Sequence, residues 1–248
     1  MIKVTNLTKK YGDQVAVNNL NLEIKPGELF GFLGPNGAGK TTTIKMLTGI
    51  LKPSEGTIII AGQDVQKNPG DAKKAVGYVP DDPYLYDRLT AREHIQFVGG
   101  LYGLTKSEVA ERSASLFNVF GMNGWVDKRC EEFSHGMRQK LVFCSALVHR
   151  PAVLVVDEPM VGLDPQSSRL VKDLMKQYAD QGNTVFVSTH VLSVAEELCD
   201  RIGIINKGRL IEVGTLEELR LKAAGSNANL ESVFLDLTED KQQQHEFN

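Results

Sequence analysis

The apolar run LFGFL, residues 29–33, passes without a break into GPNGAGKTT, and Ile44, Leu47 and Leu51 then recur at helical spacing. Strand, glycine-rich loop and helix in this order leave few folds open. Gly34, Pro35, Asn36, Gly37, Ala38, Gly39, Lys40, Thr41 and Thr42 fit the pattern GxxxxGK followed by Ser or Thr. Glycines let the backbone curl closely round phosphate oxygens, and the start of the helix aims unpaired amides at the same negative charge. Lys40 is expected to reach the β- and γ-phosphates of a nucleotide. The Thr41 hydroxyl is expected to ligate a Mg²⁺ that bridges them.

A phosphate loop alone does not hydrolyse its ligand. Turnover also needs a metal-facing acid and a base for water, and VLVVDEP offers both. Four apolar residues, Val153 to Val156, predict a buried strand that presents Asp157 to the metal shell and Glu158 to an attacking water.

Strand character also marks IKVTNL and LNLEI near the N-terminus, and TVFVSTH, RIGIIN and RLIEVG near the C-terminus. Between about residues 87 and 150 the pattern turns helical. Strands alternating with helices imply an α/β fold with a mostly parallel sheet covered on both faces. The expected organisation is one domain over residues 1–222 with an N-terminal antiparallel β region and the helical block inserted at about residues 87–150. The last 26 residues, 223–248, hold five acids against a single base, Lys241, and read as an acidic tail whose end is disordered.

Charge and apolar content narrow the functional classes. Residues 1–222 carry 27 bases and 26 acids, so no basic excess points to nucleic acid. The longest apolar run is five residues, Ala152 to Val156, whereas a membrane-spanning helix needs about 20. The N-terminal residues lack a secretory apolar core, so a cytosolic chain is expected. Cys130, Cys144 and Cys199 share no metal-ligand spacing and read as buried thiols.

In its ordered motif set the chain resembles the ATP-binding subunits of ATP-binding-cassette (ABC) transporters, from about residue 2 to residue 238. Tyr11 in KKYG resembles the aromatic residue that stacks on adenine, and GPNGAGKTT the phosphate loop. FSHGMRQ, with Ser134 and Gly136, resembles the signature segment. VLVVDEP resembles the metal and base strand, GLD at Gly162–Asp164 the dimer-contact loop, and His190 in VSTH the switch histidine. The resemblance implies a P-loop NTPase fold, ATP and Mg²⁺ as ligands, and catalysis by Lys40, Glu158 and His190. It also implies two partners. One is a second ATP-binding subunit, identical or different, packed head to tail so that Ser134 and Gly136 face the γ-phosphate on the other chain. The other is an integral membrane permease, which places this chain on the cytoplasmic face of a membrane. Read from its residues alone, Ser134 opens a helix whose apolar face runs through Met137, Leu141, Cys144 and Val148.

Two departures stand out. His135 and Met137 replace the signature's usual glycine and glutamine, and Asp81 stands where the family has a glutamine, within reach of metal-bound water. Both, together with NLESVFLDLT from Asn229, resemble the subset that serves export-type permeases. Pro83, Tyr84, Leu85 and Tyr86 are candidates for docking the permease. The function expected is an ATPase subunit powering an exporter. A soluble ABC ATPase of an assembly system, such as iron–sulfur cluster assembly, and a regulatory nucleotide-binding module with little turnover remain open alternatives at this point.

Overall fold

The computed structural model describes residues 1–222 together with Glu231, Phe234 and Leu235. The rest of the expected tail, including most of NLESVFLDLT, lies outside the described residues. In chain order the elements are β1 (Ile2–Tyr11), β2 (Gln14–Ile24), β3 (Leu29–Leu33), α1 (Lys40–Leu47), β4 (Glu55–Ile60), β5 (Gln63–Asp64), α2 (Pro69–Lys74) and β6 (Val76–Val79). Three helices follow, α3 (Ala91–Leu101), α4 (Lys106–Val119) and α5 (His135–Leu147). The chain then runs through β7 (Val153–Asp157), α6 (Pro165–Asp180), β8 (Thr184–Thr189), α7 (Leu192–Leu198), β9 (Arg201–Asn206), β10 (Arg209–Gly214) and α8 (Leu216–Lys222).

Two sheets form. One is antiparallel with strand order β2-β1-β4-β5, and the other has the order β10-β9-β3-β8-β7-β6, parallel except for β10. This is the α/β arrangement with an antiparallel N-terminal region that the sequence predicts. The strand β7 shows why its apolar run is continuous. Val153 and Val155 point into a core shared with the antiparallel sheet, while Leu154 and Val156 point into a second core under α3–α6. A strand covered on both faces needs an apolar residue at every position. Phe186 of β8 joins the first core and packs against Phe30 and Phe32, with ring centroids 6.0 and 5.3 Å away.

Helix starts follow from capping chemistry. Thr90 with Glu93 and Thr105 with Glu108 form reciprocal capping boxes on α3 and α4, and Asp164 followed by Pro165 opens α6. The core stripe of α6 is Val171, Met175 and Ala179, and Leu170 and Leu174 flank it only partly buried. Six elements escape the sequence patterns: α2, β4, β5, β6, α7 and α8. The strand β6 is four residues long and lies at the sheet edge beside β7, so it offers no periodic signal. Cys130 and Cys144 are buried free thiols and Cys199 is a half-buried one. Among the described residues no helix is long and apolar enough to cross a membrane.

Candidate active site

The loop leaving β3 meets the N-terminus of α1 at the carboxyl edge of the parallel strands, where α/β sheets bind ligands. Gly39 caps α1 at φ 107°, in the left-handed region, and a Cβ there would lie 2.7 Å from the Ala16 carbonyl. The Lys40 ammonium donates to the carbonyls of Gly34 at 2.7 Å and Pro35 at 3.1 Å. Burial holds its pKa down, opposed by the nearby carboxylates of Glu158 and Asp157. The turn between β9 and β10 braces the loop from behind: the Gly208 amide donates to the Ala38 carbonyl at 2.9 Å, and the Asn18 amide to the Gly208 carbonyl at 2.8 Å.

Strand pairing delivers the acids. β8 lies between β3 and β7, and Asp157 pairs with Ser188 in register. Asp157 is 2% exposed; its Oδ1 accepts a hydrogen bond from the Ser188 hydroxyl, while Oδ2 has no partner among the described residues. Burial raises its pKa, and the charges of Asp81 and Glu158 add to that; the Ser188 hydrogen bond and, more weakly, Lys40 oppose it. Glu158 sits at φ 48°, a left-handed conformation that costs of order 1–3 kcal/mol for a residue with a side chain. Its amide donates to the Ser188 carbonyl at 3.0 Å. Its Oε1 lies 2.7 Å from His190 Nδ1, and its Oε2 accepts from the Thr189 hydroxyl at 3.2 Å. Ser188 and Thr189 of β8 and His190 just beyond it therefore grip Asp157 at the end of β7 and Glu158 just beyond that strand.

The phosphate loop and the two acids border a cleft of about 540 Å³ lined by Tyr11, Asn36, Gly37, Gly39, Lys40, Thr41, Thr42, Asp81, Asp157 and Glu158, a size suited to a small ligand, and His190 is not part of that lining. Gln14, Val15, Ala16, Lys207 and Gly208 also line it, and sequence reasoning passed over all five, because their positions depend on how β2 and the β9–β10 turn pack against the loop. Tyr11 ends β1, is 49% exposed, and has the Lys9 ammonium 5.2 Å from its ring centroid. Gly34, Pro35 and Ala38 lie behind the lining, as carbonyl partners of Lys40 and of the Gly208 amide.

Ser134 and Gly136 stand apart from this cleft, at the start of α5, where the Ser134 hydroxyl accepts from the Met137 amide at 3.4 Å. His135 lies against Gly162: a Cβ on that glycine would sit 2.2 Å from His135 Cδ2. The signature-like segment and the GLD loop thus touch within one chain. Of the docking candidates, Pro83 and Leu85 are buried, Leu85 in the core beneath α3, so only Tyr84 and Tyr86 face outward. This corrects the expected set. Phe97, 5.2 Å from Tyr86 between ring centroids, and Leu101 extend the exposed apolar surface from α3.

Among the described residues no three of His, Cys, Asp and Glu are grouped to hold a metal by themselves. The unpartnered Asp157 Oδ2, with Thr41 and Asp81 on the same cleft, suits an ion that takes its remaining ligands from phosphate and water, which is how Mg²⁺ binds.

Residues 17–161 match the ABC transporter family. The linearmycin resistance ATP-binding protein LnrL of Bacillus subtilis is 40% identical over 225 residues, 91% of this chain and 72% of that one. A solved structure described as the ATP-binding subunit of an ABC transporter superposes with a TM-score of 0.91 at 31% identity, covering 96% of this chain and 100% of the other. The ATP-binding cassette MJ0796, a dimer in a post-hydrolysis state bound to ADP and Pi, aligns with a TM-score of 0.79 at 27% identity over 87% of this chain and 99% of that one. With its family match, its sequence relatives and its fold in agreement, this chain belongs to the ABC transporter family as an ATP-binding, ATP-hydrolysing subunit.

Proposed function

We propose that the chain binds ATP with Mg²⁺, pairs head to tail with a second ATP-binding subunit, and hydrolyses ATP to drive an export-type permease from the cytoplasmic face of a membrane. The observation that carries the hydrolytic reading is the acid pair Asp157–Glu158, held by Ser188, Thr189 and His190 on the cleft formed by the phosphate loop. Tyr11 offers a flat face to adenine, worth roughly 1–3 kcal/mol by analogy with stacked nucleic-acid bases. Loop amides and Lys40 receive the β- and γ-phosphates. Thr41, Asp157 and Asp81 would hold Mg²⁺ on this cleft, and the bound ion would neutralise charge on the phosphates.

Glu158 takes the proton from the attacking water as the water oxygen bonds to the γ-phosphorus and the bond to the β–γ bridging oxygen breaks, releasing ADP and phosphate. His190, held through Nδ1 by Glu158, keeps its other ring nitrogen for the γ-phosphate. Because Ser134 and Gly136 lie off the cleft of their own chain, they suit the γ-phosphate bound by the other subunit, presented at the N-terminus of α5. Export is supported by the likeness to a resistance protein and by Asp81, His135 and Met137. Tyr84, Tyr86, Phe97 and Leu101 form the surface proposed to receive the permease.

In the purified protein, Glu158→Gln is expected to retain ATP binding and to lose roughly 10²- to 10⁴-fold in phosphate release, the scale of general base catalysis. Unchanged hydrolysis would remove Glu158 as the base. Copurification of a polytopic membrane protein from detergent-solubilised membranes tests the transport reading, and a soluble assembly scaffold in its place would overturn it.

A further inference from the structure

We infer that Thr189 is a positioning residue for hydrolysis, its hydroxyl fixing the carboxylate of Glu158 in the orientation that accepts the proton of water. The inference rests on the reading of Glu158 as the base. Glu158 follows the last residue of β7 on a left-handed backbone, and its side chain crosses the strand end with several free torsions. Two donors hold it, one per oxygen: His190 Nδ1 at Oε1, 2.7 Å, and Thr189 Oγ1 at Oε2, 3.2 Å.

The two donors differ in kind. The His190 side chain is 50% exposed and lies beyond the end of β8, whereas Thr189 is 2% exposed and is the last residue of that strand. The Val191 amide already donates to Thr189 Oγ1 at 3.0 Å. That bond occupies one lone pair of the hydroxyl, and its single proton is left for Glu158. The chain therefore carries a permanent restraint on the base, independent of whatever His190 does. Thr189 does not line the cleft, so it acts through Glu158 rather than on the nucleotide. Its β-branched side chain restricts χ1, which keeps the hydroxyl aimed.

Steady-state phosphate release against ATP concentration, with the full chain and Mg²⁺, tests this in Thr189→Val, Thr189→Ser and Glu158→Gln. Thr189→Val keeps the shape and removes the hydroxyl. It is expected to lower kcat roughly 10- to 100-fold, the effect of a misplaced reacting group, while KM for ATP and equilibrium binding of a non-hydrolysable ATP analogue stay unchanged. Thr189→Ser restores the hydroxyl and is expected to recover most of kcat. Melting temperatures of both variants separate loss of fold from loss of aim. Wild-type kcat in Thr189→Val beside an inactive Glu158→Gln overturns the inference and leaves the base assignment standing. Equal impairment of the Val and Ser variants assigns the effect to packing and also overturns it. Turnover retained in Glu158→Gln removes the base assignment and this inference with it.

Discussion

Asp157 and Glu158 are adjacent in sequence and opposite in surroundings. Asp157 ends a buried strand, and burial pushes its pKa up; Glu158 is turned back over the sheet edge by a left-handed backbone. The Ser188 hydroxyl bonds Oδ1 of the Asp157 carboxylate, which leaves Oδ2 as the unpartnered oxygen of a residue that lines the cleft. Removing a partner of a metal-ligating carboxylate commonly weakens metal affinity about 10- to 100-fold. Ser188→Ala is accordingly expected to raise the Mg²⁺ concentration for half-maximal ATPase activity by at least the lower of these factors, read from a Mg²⁺ titration at fixed ATP. The acids themselves were legible in VLVVDEP, because four apolar residues followed by two carboxylates are a local pattern. Ser188 and Thr189 were not, since STH reads as the polar end of a strand until register sets it beside DE.

The elements α5 and α6 are joined at their N-terminal ends by the contact between His135 and Gly162. Gly162 has φ 72°, and its Cα is closed in by the imidazole. Gly162→Ala adds both backbone strain and a clash, and is expected to cost about 1–3 kcal/mol in chemical denaturation. Combining it with His135→Ala removes the clash and leaves the strain, so the pair is expected to show a favourable coupling of roughly 0.5 kcal/mol or more. Strict additivity would show that the ring moves aside freely. The helix itself was legible. Ser134 caps α5, and Leu141, Cys144 and Val148 are all fully buried as their spacing predicts. The imidazole's place was not, because it depends on a loop 27 residues further along the chain.

At the scale of the molecule, buried His94 and half-buried His149 tie stability to pH. Burial pushes His94 and His149 down from 6.5 to about 4, and Nδ1 of each has no partner among the described residues. His149 stacks on Tyr102 with ring centroids 3.6 Å apart and donates from Nε2 to the Val76 carbonyl at 3.1 Å; Arg112 also disfavours its charged form. The unfolded chain binds these protons first, so stability is fully present above pH 6.5 and falls as pH drops toward 4. Each histidine contributes a slope of up to roughly 1.4 kcal/mol per pH unit in that window. Denaturation midpoints measured from about pH 7.5 to 4 are expected to fall, and the fall to shallow in His149→Phe, which keeps a flat ring against Tyr102. A flat profile in the wild type would contradict the desolvation of both rings.

Local order was enough to determine the chemistry of this chain. A glycine-rich loop between an apolar strand and a helix, then two carboxylates after a second apolar strand, name a phosphate site and its hydrolytic acids from residues that are neighbours in sequence. Tertiary structure decided what lies between them. The strand order β3-β8-β7 brings the hydroxyls of β8 onto the acids at the end of β7, and the β9–β10 turn braces the loop from the strand on the other side of β3. Outward-facing Tyr84 and Tyr86 are separated from buried Pro83 and Leu85 in the same way. Each of these depends on pairing between segments distant in the chain. A period of two or 3.6 reports which residues an element buries, and is silent on which element it meets.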